Sequence, residues 1–410
     1  MSDDTAAAIS LLNAAAVRTR AKRMLALGLD DRLLHFRIDL AALDHAADLV
    51  AATTRKNYPT LDVPFHSRWR HFVVNGIDRA EMLFAHWADS GERARAAFDL
   101  AIISVLLDAG AGSQWRYLDA PTGESIGRSE GLALASLDMF GRGAFSSNAE
   151  QNPLRADGAV LARLDSVMLS KGFQAGLGNT LVGLAARTDL LRALGRLVVS
   201  HPEIFGQNNA ARPGGLFDHL VAKAANGTIP APLILSELLR QFGPIWPSRL
   251  SLGGVPLGDC WRYPAMTTED ATSELLPLHK LSQWLAYSLI EPLQQAGFTV
   301  TDIDGLTGLA EYRNGGLFID TGVLVPRDPL DAARAYEVGA PLVVEWRALT
   351  VALLDRLALA VRTRLNRSAA ELPLAKILQG GTWAAGRELA FARRADGSPP
   401  LKIISDGTVF

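Results

Sequence analysis

One stretch of the chain, Leu275–Leu324, concentrates the side chains that are capable of chemistry. Its first part has the spacing of a helix that presents one side to the core and a second, mixed side to other partners. The apolar side is formed by Leu281, Leu285 and Leu289, and the mixed side by Lys280, Trp284, Tyr287 and Glu291. The mixed side therefore carries a cation, two aromatic rings and a carboxylate. We predict that this helix ends before Gly297, where a left-handed cap fits.

The second part of the stretch, Gly308–Gly316, places Glu311, Tyr312, Arg313 and Asn314 before a pair of glycines. A glycine pair beside charged residues permits tight turning and a close approach of the backbone to a ligand. Two ordinary alternatives remain open at this point. A lysine on a mixed helix face is usually solvated, and a Glu-Tyr-Arg segment can be a capping and ion-pair cluster.

A second group of polar residues lies in Tyr58–Gly76, where Pro59 and Pro64 predict a loop with extended pieces. The cationic and imidazole side chains of this loop surround Trp69; they are His66, Arg68, Arg70 and His71. Guanidinium forks suit phosphate and carboxylate groups. The loop therefore predicts either a structural arginine–carboxylate network or an anion subsite for a phosphorylated substrate.

Two further places carry candidate binding residues. Asp108 ends a strongly apolar predicted helix, and a buried carboxylate needs a partner. Ser129 and Glu130 open the next predicted helix, where they either cap its first turn or bind a ligand.

The composition is that of an ordinary globular protein. The 410 residues are 49% hydrophobic and 20% charged, with a net charge of −2, so there is no basic excess for a nucleic-acid surface. The single cysteine, Cys260, excludes an intrachain disulfide framework and fits a reducing, cytoplasmic setting. The start of the chain is acidic, unlike a secretory signal, and the apolar run 97–107 is too short to span a bilayer. No motif for a metal or another cofactor is present.

The periodicity predicts a mainly α fold, multi-helical, with few short strands. Predicted helices include 6–27 with Gly28 as a stop signal, 33–53, 92–109, 127–140, 180–200, 331–337, 341–367 and 372–390, and a small strand is predicted near the end. We expect an N-terminal helical part, residues 1–150, packed as one unit with a helical core, residues 151–410, that carries the Lys280 and Glu311 site.

Five motifs resemble a family with a domain of unknown function that is tied to the URC-type route of uracil catabolism. They are VPFHSRWRHF at Val63–Phe72, LLDAGAG at Leu106–Gly112, RSEGLALASLDMF at Arg128–Phe140, HKLSQWLAYSLIEPL at His279–Leu293 and LTGLAEYRNGGLF at Leu306–Phe318. The motifs extend over most of the chain from about Pro64 to Phe318.

This family is in turn remotely similar to queuosine 5′-phosphate nucleosidases, which have a Tyr-Lys-x-x-Gln helix followed by a Phe-Ala-Asp-Tyr-Arg motif. His279–Gln283 and Leu309–Arg313 occupy the same places here, and Glu345–Arg347 and Leu374–Glu388 resemble later helices of those enzymes. The chain departs from the pattern at Glu311, where those enzymes have aspartate, and in the residues after Arg313. The resemblance also implies a helical core similar to that of helix-hairpin-helix DNA glycosylases.

The resemblance implies an N-glycosidase that converts ribosylurea, or its 5′-phosphate, to urea and ribose or ribose phosphate. Glu311 is then the carboxylate that stabilises an oxocarbenium-like transition state or activates water, and Lys280 bonds the leaving group, the ribose or Glu311. Trp284 and Tyr312 are then candidates to pack against the sugar ring or the leaving group, and His279 and Asp108 are candidate proton donors. The candidates for binding a 5′-phosphate are Arg313, Arg68 and Arg70, with His66 nearby. Further candidate binding residues are Gln283, Asn314, Ser129 and Glu130. The partner is thus a phosphorylated riboside, without nucleic acid, membrane or metal, in an oligomeric state that the sequence does not fix.

Two other functions remain open. An amidohydrolase would cleave the ureido C–N bond and release ammonia, but it would normally use a metal or an activated nucleophile. A non-catalytic helical partner in a catabolic complex would have a broad exposed apolar surface and no convergent polar pocket.

Overall fold

A mainly α-helical fold with short, pairwise strands confirms the predicted fold class. The structure, a computed structural model, describes residues 2–85, 87–112, 114–206, 211–246, 250–331 and 334–404. The chain divides into two compact units. Unit 1 takes its described residues from Met1–His66, Ser248–Gln283 and Asp302–Ile404, and unit 2 from Ser67–Pro247 and Trp284–Thr301.

Unit 1 contains the two ends of the chain that the structure describes. Its helices are α1 (Asp3–Ser10), α2 (Ala14–Leu29), α3 (Leu43–Asn57), the first turn of α13 (Lys280–Gln295), α14 (Tyr312–Asp320), α15 (Pro341–Leu365), α16 (Leu374–Ile377) and α17 (Trp383–Arg393). Its strands are β1 (Phe36–Ile38), β7 (Ser251–Leu252), β8 (Val255–Pro256), β9 (Cys260–Arg262), β10 (Leu275–Pro277), β12 (Leu324–Pro326), β13 (Ala335–Glu337) and β14 (Lys402–Ile404).

Unit 2 is built around apolar helices from the middle of the chain. Its helices are α4 (Arg79–Phe84), α5 (Ser90–Leu106), α6 (Arg128–Gly141), α7 (Gly158–Leu161), α8 (Ser166–Gly172), α9 (Leu184–Ser200), α10 (Pro202–Phe205), α11 (Leu216–Val221), α12 (Ala231–Gln241) and the remainder of α13. Its strands are β2 (Val73–Val74), β3 (Ile77–Asp78), β4 (Arg116–Asp119), β5 (Glu124–Gly127), β6 (Thr228–Pro230) and β11 (Thr299–Thr301).

The long helix α15 forms the centre of unit 1. Most of its residues are buried, and α2 and α3 from the start of the chain pack against it together with α14. The units therefore differ from the sequential parts 1–150 and 151–410 that we expected from the sequence. Each unit is assembled from separate stretches because helices that are distant in sequence share one apolar interface, which local periodicity does not reveal.

Four local predictions were wrong, in whole or in part. The helix predicted at 6–27 is two helices, because the Asn13 side chain accepts a hydrogen bond from Ala16 N and starts α2 there. Gly28 does not stop α2; it lies inside the helix against the Ile38 side chain. The start of the helix predicted at 33–53 is the strand β1, which pairs with β12. The end of the helix predicted at 331–337 is the strand β13, which pairs with β14, and residues 332–333 of that prediction lie outside the described residues.

A π-helical turn at Leu378–Thr382 interrupts the predicted helix 372–390 and separates α16 from α17. Gly380 and Gly381 lie in this turn and face α3 at close range. A β-carbon at Gly381 would come within 2.6 Å of the Thr54 hydroxyl and of the Val50 carbonyl oxygen. The glycine pair is therefore required for the packing of α3 against the turn. Such turns are frequent at functional sites.

No helix in the described part of the chain is long and apolar enough to cross a membrane.

Gly381→Ala is expected to lower the free energy of unfolding by about 1–3 kcal/mol, because a backbone oxygen cannot move aside as a side chain can. Gly176→Ala is the matched control, since nothing lies within 4 Å of its β-carbon position. Urea unfolding followed by circular dichroism measures both variants. Equal midpoints for the two variants would contradict the close packing.

Candidate functional site

Lys280 is held in place by the residues around the first turn of α13. The Asp259 carboxylate accepts a hydrogen bond from Lys280 N at 2.9 Å and from Trp261 Nε1 at 2.7 Å. Arg347 on α15 donates to both oxygens of Asp259, each at 2.8 Å. Burial alone would raise the pKa of Asp259, but the charge and hydrogen bonds of Arg347 outweigh it and hold that pKa well below its usual range.

Glu311 is the N-cap of α14. One carboxylate oxygen accepts from Arg313 N at 2.8 Å and the other accepts from Asn314 N at 2.7 Å. The residue is only 8% exposed. Burial raises the pKa of Glu311, while the two backbone donors and the charge of Lys280 oppose that rise. Glu311 is thus a buried carboxylate that lies within electrostatic reach of an ammonium group.

Two further contacts fix the segment before Glu311 relative to the start of α13. Arg347 Nε donates to the Ala310 carbonyl at 3.3 Å, so one guanidinium holds both Asp259 and the residue that precedes Glu311. The Gln283 side chain bonds the hydroxyl of Thr307 and accepts from Thr307 N at 3.1 Å. Lys280 and Glu311 therefore lie on two segments of unit 1 that the Asp259–Arg347 pair and the Gln283–Thr307 bonds hold relative to each other, and Gln283 is part of the scaffold.

His66 joins the same environment. Its Nδ1 lies 3.0 Å from the Gln379 side-chain oxygen, and Gln379 Nε2 donates to the Tyr58 hydroxyl at 3.1 Å. Gln379 thus links His66 to Tyr58 and fixes the position of the imidazole ring. Burial, with a further contribution from the Lys280 charge, lowers the pKa of His66 to about 4. His66 is therefore neutral at pH 7.

The other predicted residues of unit 1 are largely occupied by the fold. Arg313 is 3% exposed, donates to the Gly397 carbonyl at 2.9 Å and lies over the Tyr312 ring at 5.0 Å. Asn314 donates to the Leu309 carbonyl at 3.3 Å. His279 is buried with its Nε2 at 3.1 Å from the Leu11 carbonyl, and burial lowers its pKa. A buried, neutral imidazole that bonds a carbonyl is a poor proton donor.

The remaining candidates form a second cluster in unit 2. Arg68 is fully buried; it donates from Nη1 to Asp108 at 2.6 Å and from Nε to Ser104 at 2.6 Å. The Ser129 hydroxyl also donates to Asp108, at 2.5 Å. The Arg68 guanidinium lies over the Trp284 ring, 5.4 Å from its centroid. Burial lowers the pKa of Arg68, and the charges of Asp108 and Glu130 oppose that effect.

Arg70 belongs to a different contact. It donates to Glu291 on α13 at 2.5 Å, and the Ser67 hydroxyl donates to the other oxygen of Glu291 at 2.6 Å. This pair matches the structural alternative that the sequence left open for the loop. Ser129 and Glu130 lie in the first turn of α6, but Gly127 is the N-cap residue of that helix. Ser129 thus bonds Asp108 and does not cap the helix.

Sequence reasoning missed Asp259, Tyr58 and Gln379. Asp259 lies in a segment rich in proline and glycine that carries no periodicity. Gln379 directly precedes the glycine pair of the π-helical turn, and a glycine pair inside an otherwise helical pattern is the one local feature that could have drawn attention to it. Among the described residues, no group of three His, Cys, Asp or Glu side chains is placed to hold a metal ion.

Comparison with known proteins gives a family match and two similar curated proteins. The model of the family described as "Protein of unknown function (DUF1688)" matches residues 10–410. "Uracil catabolism protein 4" of Lachancea kluyveri is 37% identical over 415 residues, covering 92% of this chain and 92% of that protein. "Protein urg3" of Schizosaccharomyces pombe is 38% identical over 423 residues, covering 100% of both chains.

Arg347→Met is expected to lower the free energy of unfolding by about 3–5 kcal/mol, because it leaves the buried Asp259 carboxylate without its cation. Arg364→Met is the control, because Arg364 also forms ion pairs in unit 1, but with Asp44 and Asp48, which are both largely exposed. Its replacement is expected to change the free energy of unfolding by no more than about 1 kcal/mol. Urea unfolding midpoints of the two variants provide the measurement. A loss for Arg347→Met no larger than for the control would show that the buried pair is not essential.

Proposed function

The chain belongs to the DUF1688 family, and from this premise we propose that it is an N-glycosidase of uracil catabolism. The name of the relative from Lachancea kluyveri supports a role in uracil catabolism. The proposed substrate is ribosylurea or its 5′-phosphate. The proposed reaction hydrolyses the bond between the ribosyl carbon and the ureido nitrogen, and the products are urea and ribose or ribose phosphate.

The single observation that carries this proposal is the buried Glu311 carboxylate, oriented by two backbone N–H groups in a field to which the Lys280 charge contributes. Cleavage of a ribosyl C–N bond passes through a transition state with positive charge on the sugar. A carboxylate that is already oriented by two backbone N–H groups can stabilise that charge without reorganising during the reaction. A carboxylate used only as a helix cap needs no cation beside it and no burial.

The remaining roles follow from charge and protonation. Glu311 accepts a proton from the attacking water as the water oxygen bonds to the ribosyl carbon. The leaving ureido nitrogen takes up a proton from solvent as the C–N bond breaks, and Glu311 returns the proton of the attacking water to solvent, which restores the carboxylate. We assign Lys280 the hydrogen bond that stabilises this nitrogen or the ribose. Neutral His66 is the third polar group that we assign to substrate binding.

Glu311→Gln is expected to reduce kcat for urea release from ribosylurea by about a hundred- to ten-thousand-fold, because the amide neither accepts the proton of water nor carries a charge. Both ribosylurea and its 5′-phosphate are assayed, with urea, reducing sugar and ammonia measured separately. Glu371→Gln is the control, since this exposed glutamate also accepts a backbone N–H in unit 1.

Each alternative function has its own outcome in this assay. Ammonia released without reducing sugar would identify an amidohydrolase and overturn the glycosidase. No turnover of either substrate by the wild type would favour a non-catalytic partner. Equal rates for Glu311→Gln and the control would remove Glu311 from the mechanism.

The pH dependence of kcat/KM supplies a second test. Glu311 acts as a carboxylate, and burial raises its pKa, so we expect activity to fall on acidification at a pH above the usual glutamate value of about 4.3. The charge of Lys280 lowers the pKa of Glu311, so Lys280→Met should move this acid limb to still higher pH. Lys56→Met, which removes an exposed lysine of unit 1, should leave it in place. A limb that moves to lower pH in Lys280→Met would contradict the assignment.

A further inference from the structure

The arginine of the unit 2 cluster has one donor group without an acceptor. Arg68 donates from Nε to Ser104 and from Nη1 to Asp108 and Ser129. Its Nη2 is buried and has no hydrogen-bond partner among the described residues. Leaving a buried, charged N–H group without an acceptor costs more than leaving a neutral one. The missing partner is therefore expected to be a molecule that binds at this position.

The charges around Arg68 indicate what kind of molecule this is. Asp108 pairs directly with Arg68, and the charge of Glu130 also acts on it. Arg187 is the second cation near Asp108, but its guanidinium donates to the carbonyls of the segment after α5. The direct pair of Arg68 and Asp108 has a formal charge of zero. A phosphate bound to Arg68 would meet the Asp108 carboxylate, a like charge, so the pair favours a neutral ligand over an anion.

The hydrogen-bonding groups define the ligand further. Arg68 Nη2 offers donors only. The bonds from Arg68 and Ser129 to Asp108 both end on Oδ1, which leaves the lone pairs of Oδ2 as acceptors within the described part of the chain. A ligand with a carbonyl oxygen and an adjacent N–H matches this pair of groups. The Trp284 ring, beside the guanidinium and tilted against His71, adds a flat apolar wall.

We propose that Arg68, Asp108, Ser129 and Trp284 form a binding site in unit 2 for a neutral, planar urea-type amide. The ligand carbonyl accepts from Arg68 Nη2, and the ligand N–H donates to Asp108 Oδ2. The same chemistry is present in an open ureido group and in the ring of uracil. The site replaces the anion subsite that the arginines of this loop suggested in the sequence. It is argued from unit 2 alone and does not depend on the glycosidase proposal.

Isothermal titration of the full chain with three probes tests the proposal: uracil, N-methylurea and inorganic phosphate. The wild type is expected to bind at least one neutral probe more tightly than phosphate. Asp108→Asn replaces one acceptor oxygen by a donor and removes one negative charge from the cluster. It is expected to weaken the neutral probes by about 10- to 100-fold and to strengthen phosphate binding. The relative affinity of uracil and N-methylurea distinguishes a ring from an open ureido group.

Three controls keep the result interpretable. Asp189→Asn removes an exposed aspartate that pairs with Arg192 in unit 2 and should leave all affinities unchanged. Glu311→Gln should also leave them unchanged, which separates this site from the one in unit 1. Ser129→Ala removes a hydrogen bond to Asp108 but keeps the Arg68–Asp108 pair. If Asp108→Asn does not fold, Ser129→Ala replaces it in the test, and its affinity for the neutral probes is expected to fall several-fold.

Several results would overturn the proposal. One is tighter binding of phosphate than of both neutral probes by the wild type, and another is no binding of either neutral probe. A third is neutral-probe binding that survives both Asp108→Asn and Ser129→Ala. Loss of that binding in Glu311→Gln would assign it to unit 1 and would equally end the case for unit 2.

Discussion

The ion pair between Arg347 and Asp259, formed by two parallel hydrogen bonds, is the contact on which the unit 1 site depends. Asp259 accepts a hydrogen bond from the backbone N–H of Lys280, and Arg347 also donates to the carbonyl of Ala310, the residue before Glu311. Because the pair is almost completely buried, with side-chain exposures of 1% and 11%, removal of either partner would leave a buried charge uncompensated. The geometry of a lysine and a glutamate from separate segments is thus set by one guanidinium on a third segment, the helix α15.

Burying the Glu311 carboxylate costs desolvation free energy that a purely structural cap would not require. Capping of α14 requires only a short polar side chain at the surface, whereas here a longer carboxylate is buried and its pKa is raised. Groups with raised pKa values that face a specific charge are concentrated at functional sites. The burial of the carboxylate and the contribution of the Lys280 charge to its pKa are unnecessary for a cap, and they are the features on which the proposed role of Glu311 rests.

The sequence predicted the elements whose own pattern decides their structure. The helices α13 and α15 and the segment before α14 follow from apolar spacing and from the glycines around them. The strands β1 and β13 were missed because their partners lie far away in the sequence and override local preference. Asp259 and Gln379 were missed for a related reason. Each derives its role from a tertiary contact, with Arg347 or with His66, and nothing in its own neighbourhood indicates that contact.

The three buried arginines Arg347, Arg187 and Arg68 differ in how many of their guanidinium nitrogens have a hydrogen-bond acceptor. In Arg347, each guanidinium nitrogen donates to Asp259 or to Ala310, and in Arg187 each donates to a backbone carbonyl. Arg68 is equally buried and also has a carboxylate, yet one of its nitrogens has no acceptor among the described residues. Since folding cannot leave a charged donor unpaired without cost, the first two arginines are explained by the fold alone. The unpaired donor of Arg68 is the basis of the binding site that we propose in unit 2.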